Sequence, residues 1–283
     1  MKISDTMLPL PLLWMMLMVS PLSAAATGLV YIDQLPDGDG WRLLDSRSVE
    51  RCEQRSIQGA RCLSVDQLLG QRDRLPSLRD ITWLLGSLGL SGEETVVIAG
   101  RPGLERDFIA GVIYLAGQRR VLVLRTPLSQ SISSKNWPVG PGQRRSMSRE
   151  TQYVATPRDR QIVLRHELWR LIQAQSPRVL DARSDAEYWG VRIRGYRGGH
   201  IPGAEHLDIT DLQSTRMTAN GIQTVIYGHA PLDSIASFTR LQSQWEESVY
   251  LLIDGWRVWA ADSTLPVDSE SFNDDQKLRV GYQ

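Results

Sequence analysis

Two stretches of the chain repeat one hydrophobic–polar pattern. Each begins with a short apolar run that ends in Asp-x-Arg. A polar segment follows, then a Gly-Ala turn that opens a second short apolar run. The first copy is 42–63, RLLDSRSVERCEQRSIQGARCL, and the second is 178–207, RVLDARSDAEYWGVRIRGYRGGHIPGAEHL. Around the first copy, Leu29 to Leu35 is a short apolar segment that ends at the turn signal Pro36–Gly40. Trp41 to Leu44 predicts a buried strand, and Ser48 to Gln54 a short helix with Ser48 as N-cap. Arg61–Val65 predicts a second strand. Leu78, Ile81, Leu84, Leu85 and Leu88 stand at helical spacing over 77–89. The β-branched run 94–99 predicts a strand, Phe108 to Ala116 a helix, and Val121–Leu124 a last strand.

The second half repeats this order. A helix is predicted over Val163 to Gln173, a strand over Arg178–Ala182, and a short helix over Asp185–Gly190. A strand over His206–Ile209 follows, then one over Thr224–Tyr227, a loop over Gly228–Asp233, a helix from Ser234 to Trp245, and a strand over Tyr250–Ile253. The copies align as Leu43–Arg47 with Val179–Arg183, Gly59-Ala60 with Gly203-Ala204, Thr95–Ile98 with Thr224–Tyr227, and Val121–Leu124 with Tyr250–Ile253. Short buried strands alternating with helices imply parallel βαβ units. The expected fold class is therefore α/β, with two doubly wound domains, each a small parallel sheet flanked by helices. Ligands of such sheets lie outside the carboxyl ends of the strands, which points to the loops after Ala182 and Tyr227.

The segment 126–160 is rich in Ser, Pro, Gly, Arg and Gln with little periodicity, and reads as a connector. The expected division is an export signal over 1–26, a first domain over 27–128, a linker over 129–160 and a second domain over 161–283. The signal reading rests on Lys2, the apolar run Met7–Val19 and the small residues Ser23 to Ala26. The alternative is an uncleaved N-terminal membrane anchor. Against it, the run is shorter than the roughly 20 residues that span a bilayer, and Pro9 and Pro11 interrupt it. Export places the protein in the periplasm or outside the cell.

Formal net charge is zero, which argues against a nucleic-acid binder. Four histidines spread over the chain, with no Cys/His cluster, predict no metal site. No cofactor is predicted. Cys52 and Cys62 carry three readings: a small-loop disulfide, two buried free thiols, or a reactive pair. Trp256 and Trp259 are expected in the core and His200 in a structural turn.

The motifs DARSDAEYWG, GHIPGAEHL, TVIYG and LLIDGWRVWAAD, in this order and spacing, resemble a rhodanese domain of the thiosulfate or mercaptopyruvate sulfurtransferase family. The two copies resemble a tandem arrangement with a degenerate first domain. The resemblance implies a cysteine at the start of the loop after the Thr224–Tyr227 strand, where backbone N–H groups stabilise a thiolate or persulfide. Gly228 occupies that position, and the matching loop of the first copy, Ala99–Gly103, also lacks cysteine. Pro231 removes an N–H from the loop, and Asp233 adds a carboxylate beside the next helix.

Asp181 and Arg183 read as a structural ion pair and hydrogen-bond hub at a strand end, or as part of an anion or substrate pocket with Arg197, His229 and Asp233. Arg192, Arg194 and Arg197 make one loop basic, and the resemblance implies a substrate-anion role for Arg197, against which stands a solvated basic loop. The expected function is an exported tandem protein that does not transfer sulfur. It would serve as a binding or scaffolding module in periplasmic sulfur, redox or metalloenzyme maturation, with a periplasmic protein partner and a small sulfur-containing anion as a further ligand. Contact with a membrane is expected only through an uncleaved signal segment. The alternatives are a working sulfurtransferase that uses Cys52 or Cys62, and an anion-binding or hydrolytic site built on His229 and Asp233.

Overall fold

The computed structural model describes residues 28–134, 137–175, 177–209 and 222–268. The segment 1–26, read above as an export signal, and the end of the second domain from 269 lie outside the described residues.

The first half contains β1 (Leu29–Ile32), β2 (Trp41–Asp45), α1 (Val49–Gln54), β3 (Ser56–Ile57), β4 (Arg61–Cys62), α2 (Leu78–Ser87), β5 (Thr95–Ala99), α3 (Leu104–Leu115) and β6 (Arg120–Leu124). Then come α4 (Leu128–Ser134) and β7 (Val139–Gly140). The second half contains β8 (Ile162–Val163), α5 (Arg165–Gln175), β9 (Arg178–Asp181), α6 (Asp185–Tyr188), β10 (Glu205–His206), β11 (Thr224–Tyr227), α7 (Pro231–Gln242), β12 (Tyr250–Leu252) and α8 (Gly255–Ala261).

The two five-stranded sheets are parallel throughout and have the same strand order. One runs β1-β6-β5-β2-β4, and the other β8-β12-β11-β9-β10. The ladder shifts the alignment of the halves by one residue relative to the sequence match. Asp45 pairs with Ala99, and Asp181 with Tyr227, so Val96–Ala99 corresponds to Thr224–Tyr227. By the same register, Leu122 rather than Val121 stands at the place of Tyr250. Gly100 thus occupies the place of Gly228.

Three segments differ from the sequence expectation. Val163, read as the start of a helix, forms with Ile162 an edge strand paired with β12, and α5 begins after it. The helix after β5 starts at Leu104, where Gly103 turns the chain with φ +148 and Glu105 and Asp107 occupy the first turn. The helix after β11 starts at Pro231 rather than Ser234. Proline stands at its first position, where the missing N–H has no intrahelical partner to lose.

The segment 129–160 does not run free between the halves. β7 pairs antiparallel with β3, and the chain beyond is tied along the first half by its main chain. Gly142 N–H donates to Cys52 O, Cys62 N–H to Gln143 O, and Val154 N–H to Ser91 O. Arg61 holds Glu150 at 2.5 Å, and Tyr153 is buried. Main-chain hydrogen bonds to the first half give this strap its order, so no hydrophobic period announces it.

The halves meet through α3 and α7, the helices that follow the corresponding loops. Gly111 permits the close crossing: a Cβ there would stand 2.5 Å from Ile235 Cγ2 and against Thr239. One apolar cluster runs through the seam, with Phe108, Ile109 and Val112 from one side and Ile235, Phe238 and Leu241 from the other. Burial of such side chains, about 1.5–3 kcal/mol each, supplies most of the adhesion. Beside it Asp107, fully buried, bridges Arg106 at 2.8 Å and Arg240 at 2.6 Å. No helix among the described residues is long and apolar enough to cross a membrane.

Candidate functional site at the end of the second sheet

β9 and β11 end side by side and deliver Asp181 and Tyr227 to the carboxyl edge of the second sheet. Asp181 is fully buried. Arg183 donates to it from Nε at 3.0 Å and from a terminal nitrogen at 2.5 Å, and also donates to Gly199 O. The Tyr227 hydroxyl donates to Asp181 at 2.6 Å. The Arg183 guanidinium lies 4.3 Å from the centre of the Trp256 ring. Burial opposes the charge on Arg183, but the Asp181 carboxylate holds its pKa above the ordinary value. Burial, with the adjacent Asp181 charge, pushes the Tyr227 phenol well up.

Every oxygen of Asp181 is thus committed within the protein. The pair ties strand end to loop, with Arg183 bonded to Asp181 and to Gly199 O. The first half repeats the arrangement: Arg47 donates to Asp45 from Nε at 2.9 Å, and Ser56 replaces the tyrosine at 2.8 Å.

Arg197, expected in the anion pocket, points elsewhere. Its guanidinium donates to Trp259 O, Ala260 O, Asp262 O and Leu265 O at 2.6–3.0 Å. It therefore closes the C-terminal end of α8, where unpaired carbonyls attract a cation. His200 and His206 each direct a ring nitrogen to a main-chain carbonyl, of Tyr188 and Arg183 respectively. Trp256 and Trp259 are buried in the second half's core.

The loop after β11 contains Gly228, His229 and Ala230 before α7 begins. It is shut by its own bonds. Gly228 N–H donates to Ser234 Oγ at 3.0 Å, Trp256 N–H to Gly228 O and Arg257 N–H to His229 O, both at 2.9 Å. A Cβ at Gly228 would stand 2.7 Å from the Asp233 carbonyl carbon and 2.8 Å from Ser234 N. The space that a side chain at position 228 would take is therefore filled by the first turn of α7. At Gly100 the corresponding space is taken by the Ser46 hydroxyl.

His229 is the expected residue that the structure does bring to a polar cluster, together with Asp233. Its partners include one that sequence reading missed, Glu187 of α6. Glu187 is buried, accepts from Ser184 Oγ at 2.7 Å and faces Arg194 at 2.8 Å. The motif Ser184-x-x-Glu187 at a helix start was the available signal. His229 Nδ1 lies 3.9 Å from Glu187 and has no hydrogen-bond partner among the described residues. Arg194 also lies 3.8 Å from Asp233. Burial, and then the Arg194 charge, lower the His229 pKa, while Glu187 and Asp233 oppose them. With a neutral histidine, two carboxylates face one guanidinium. This balance does not make an anion cradle.

Cys52 and Cys62 are joined in a disulfide, fully buried, with their Cα atoms 5.7 Å apart. Neither is a thiolate available for sulfur transfer. No group of three or more metal-ligating side chains occurs among the described residues.

Residues 164–262 match the model of the rhodanese-like domain. The matched stretch runs from the end of β8 to just past α8. Solved structures extend the likeness of fold over most of the chain. EanB in complex with ergothioneine superposes with a TM-score of 0.67 at 17% identity, over 85% of this chain and 67% of that one. YnjE superposes with a TM-score of 0.66 at 19% identity, over 85% and 65%. The anaerobic ergothioneine biosynthesis enzyme from Chlorobium limicola, bound to trimethyl histidine, gives 0.66 at 17%, over 83% and 66%. The chain spans about two thirds of the length of these structures. At such identities they establish the rhodanese-like fold, not a shared reaction. No curated protein matches the chain by sequence.

Proposed function

We propose that the chain is an exported pair of rhodanese-like domains that does not transfer sulfur and acts as a binding or scaffolding module. The observation that carries this reading is Gly228, which stands where the fold presents its nucleophile, in a loop with no room for a side chain. The equal strand order of the two sheets supports descent of both halves from one domain. Gly100 in the first half leaves that copy without a nucleophile too. The buried disulfide speaks against a sulfurtransferase working through Cys52 or Cys62.

A binding role draws support from the loop between α6 and the GHIPGA turn. There Val191, Ile193 and Tyr196 stand 51%, 59% and 80% exposed, interleaved with arginines. Exposed tyrosine, arginine and aliphatic side chains on one loop suit a protein partner. The system served is periplasmic sulfur, redox or metalloenzyme maturation.

The test is sulfur transfer from thiosulfate and from mercaptopyruvate to cyanide, with a competent rhodanese as positive control. The expected result is no turnover above buffer. Turnover by the wild-type chain would overturn the reading. Export is tested separately by the N-terminal sequence of the protein recovered from the periplasm, expected to begin near Ala26 or Thr27.

A further inference from the structure

Away from the Gly228 loop, an open cleft of about 180 Å³ crosses the seam between the halves. Its floor is Val112 of α3 and Ile235 of α7, both buried. Leu75 and Ile81 wall it from the first half and Ile253 from the second. Among its lining residues one side chain is charged, the exposed Asp159. The neighbouring Arg158 is turned away, donating to Tyr114 O and Gln118 O.

Aliphatic side chains around an open cleft leave unburied the area that drives folding, at about 25 cal/mol per Å². Clefts that combine an apolar lining with one or two polar groups, at a domain interface, are the usual form of a small-molecule site. The volume sets the scale: an apolar cavity of about 150 Å³ accepts benzene. The carboxylate sets the sign. An anionic head would meet Asp159 unfavourably, and a cationic head would gain up to about 1 kcal/mol at such an exposed position.

We propose that this cleft binds a small organic amine, its aromatic or branched aliphatic body between α3 and α7 and its ammonium group toward Asp159. The site is separate from the altered loop, so the sulfur-transfer assay does not bear on it.

The experiment is a methyl NMR titration of the purified full chain with phenethylamine, ethylbenzene and phenylpropionate. Phenethylamine is expected to shift the Ile81, Ile235 and Ile253 methyls saturably and to bind about fivefold more tightly than phenylpropionate. Asp159→Asn is expected to remove that preference while leaving ethylbenzene binding intact. Ile253→Trp, at a half-buried wall, is expected to fill the cleft and abolish the shifts. Leu75→Trp is the companion variant if the first does not fold. Absence of saturable shifts with both phenethylamine and ethylbenzene would overturn the site. Equal affinity for the amine and the carboxylate would overturn the assignment of its ligand.

Discussion

Gly228 and Ser234 close on each other: the glycine N–H donates to Ser234 Oγ, and a Cβ on the glycine would lie 2.8 Å from the Ser234 nitrogen. Position 228 therefore has no room for a side chain unless the first turn of α7 moves. A cysteine placed at Gly228 does not by itself open the loop, because the thiol would have to displace the first turn of α7. Gly228→Cys is expected to lower stability by about 1–3 kcal/mol through overpacking, with sulfur transfer still at background. Urea unfolding and the cyanide assay measure the two effects. A Gly228→Cys protein of wild-type stability that forms a persulfide would show that the loop is open.

Arg197 is a structural residue despite its place in a basic loop. Arg197→Ala removes the guanidinium from four carbonyls at and just beyond the end of α8; Trp259 O and Asp262 O keep main-chain donors, and Ala260 O and Leu265 O lose the arginine. The expected loss is about 3 kcal/mol, and Arg197→Lys recovers only part of it because an ammonium cannot fan out to four acceptors. Denaturant midpoints read both values. If Arg197→Ala kept full stability but lost thiosulfate binding, the residue would belong to a pocket after all.

The strands and the paired Asp-x-Arg hubs were legible because β-branched runs and a fixed motif each encode a local requirement. The less legible parts depend on partners distant in sequence. Two apolar residues, Ile162 and Val163, form a strand only because β12 offers an edge. The strap over 129–160 is ordered by main-chain bonds to the first half, which no side-chain period reports. At the candidate site, His229 and Asp233 were found from their place beside Gly228, whereas Glu187 reaches them from another helix. Arg183 and Arg197 are spent on structure, leaving Arg194 with the carboxylates.

The seam between the halves is expected to fail at Asp107. Its removal leaves Arg106 buried and Arg240 half-buried without their shared counter-charge. Asp107→Ala should cost about 3–5 kcal/mol. Because the groups share one network, Asp107→Ala with Arg240→Ala should cost less than the sum of the single changes. A double-mutant cycle by urea unfolding decides this, and strict additivity would mean that the bridge contributes nothing to the seam.

The disulfide closes a short loop, the two cysteines being 10 residues apart. On the chain-entropy picture, replacing both cysteines with serine should remove about 2–3 kcal/mol. Reductant should lower the wild-type unfolding midpoint and leave that of the serine variant unmoved. The strap should loosen as well, because a Cβ on Gly142 would run into both sulfurs and the Gly142 N–H is held by Cys52 O. Faster amide exchange at Gly142 and Gln143 after reduction would report it. An unchanged midpoint under reductant would place the link outside the energetics of the fold.

His229 gives the fold a pH dependence of definite sign. Its pKa is lowered in the folded chain, first by burial and then by Arg194. The folded state therefore binds fewer protons here than the unfolded state, whose histidine titrates near 6.5. Stability from this group is complete above that value. It declines as pH falls through 6.5 and is lost once pH passes below the depressed folded value. His229→Gln removes the titration and should flatten the stability profile between pH 7.5 and pH 5, the variant gaining relative to wild type at the acid end. The same change should leave the difference near zero at pH 8, where both states are neutral. Urea midpoints of the two proteins across that range provide the measurement. A wild-type advantage that grows toward acid would mean that the protonated imidazole finds Glu187, reversing the sign.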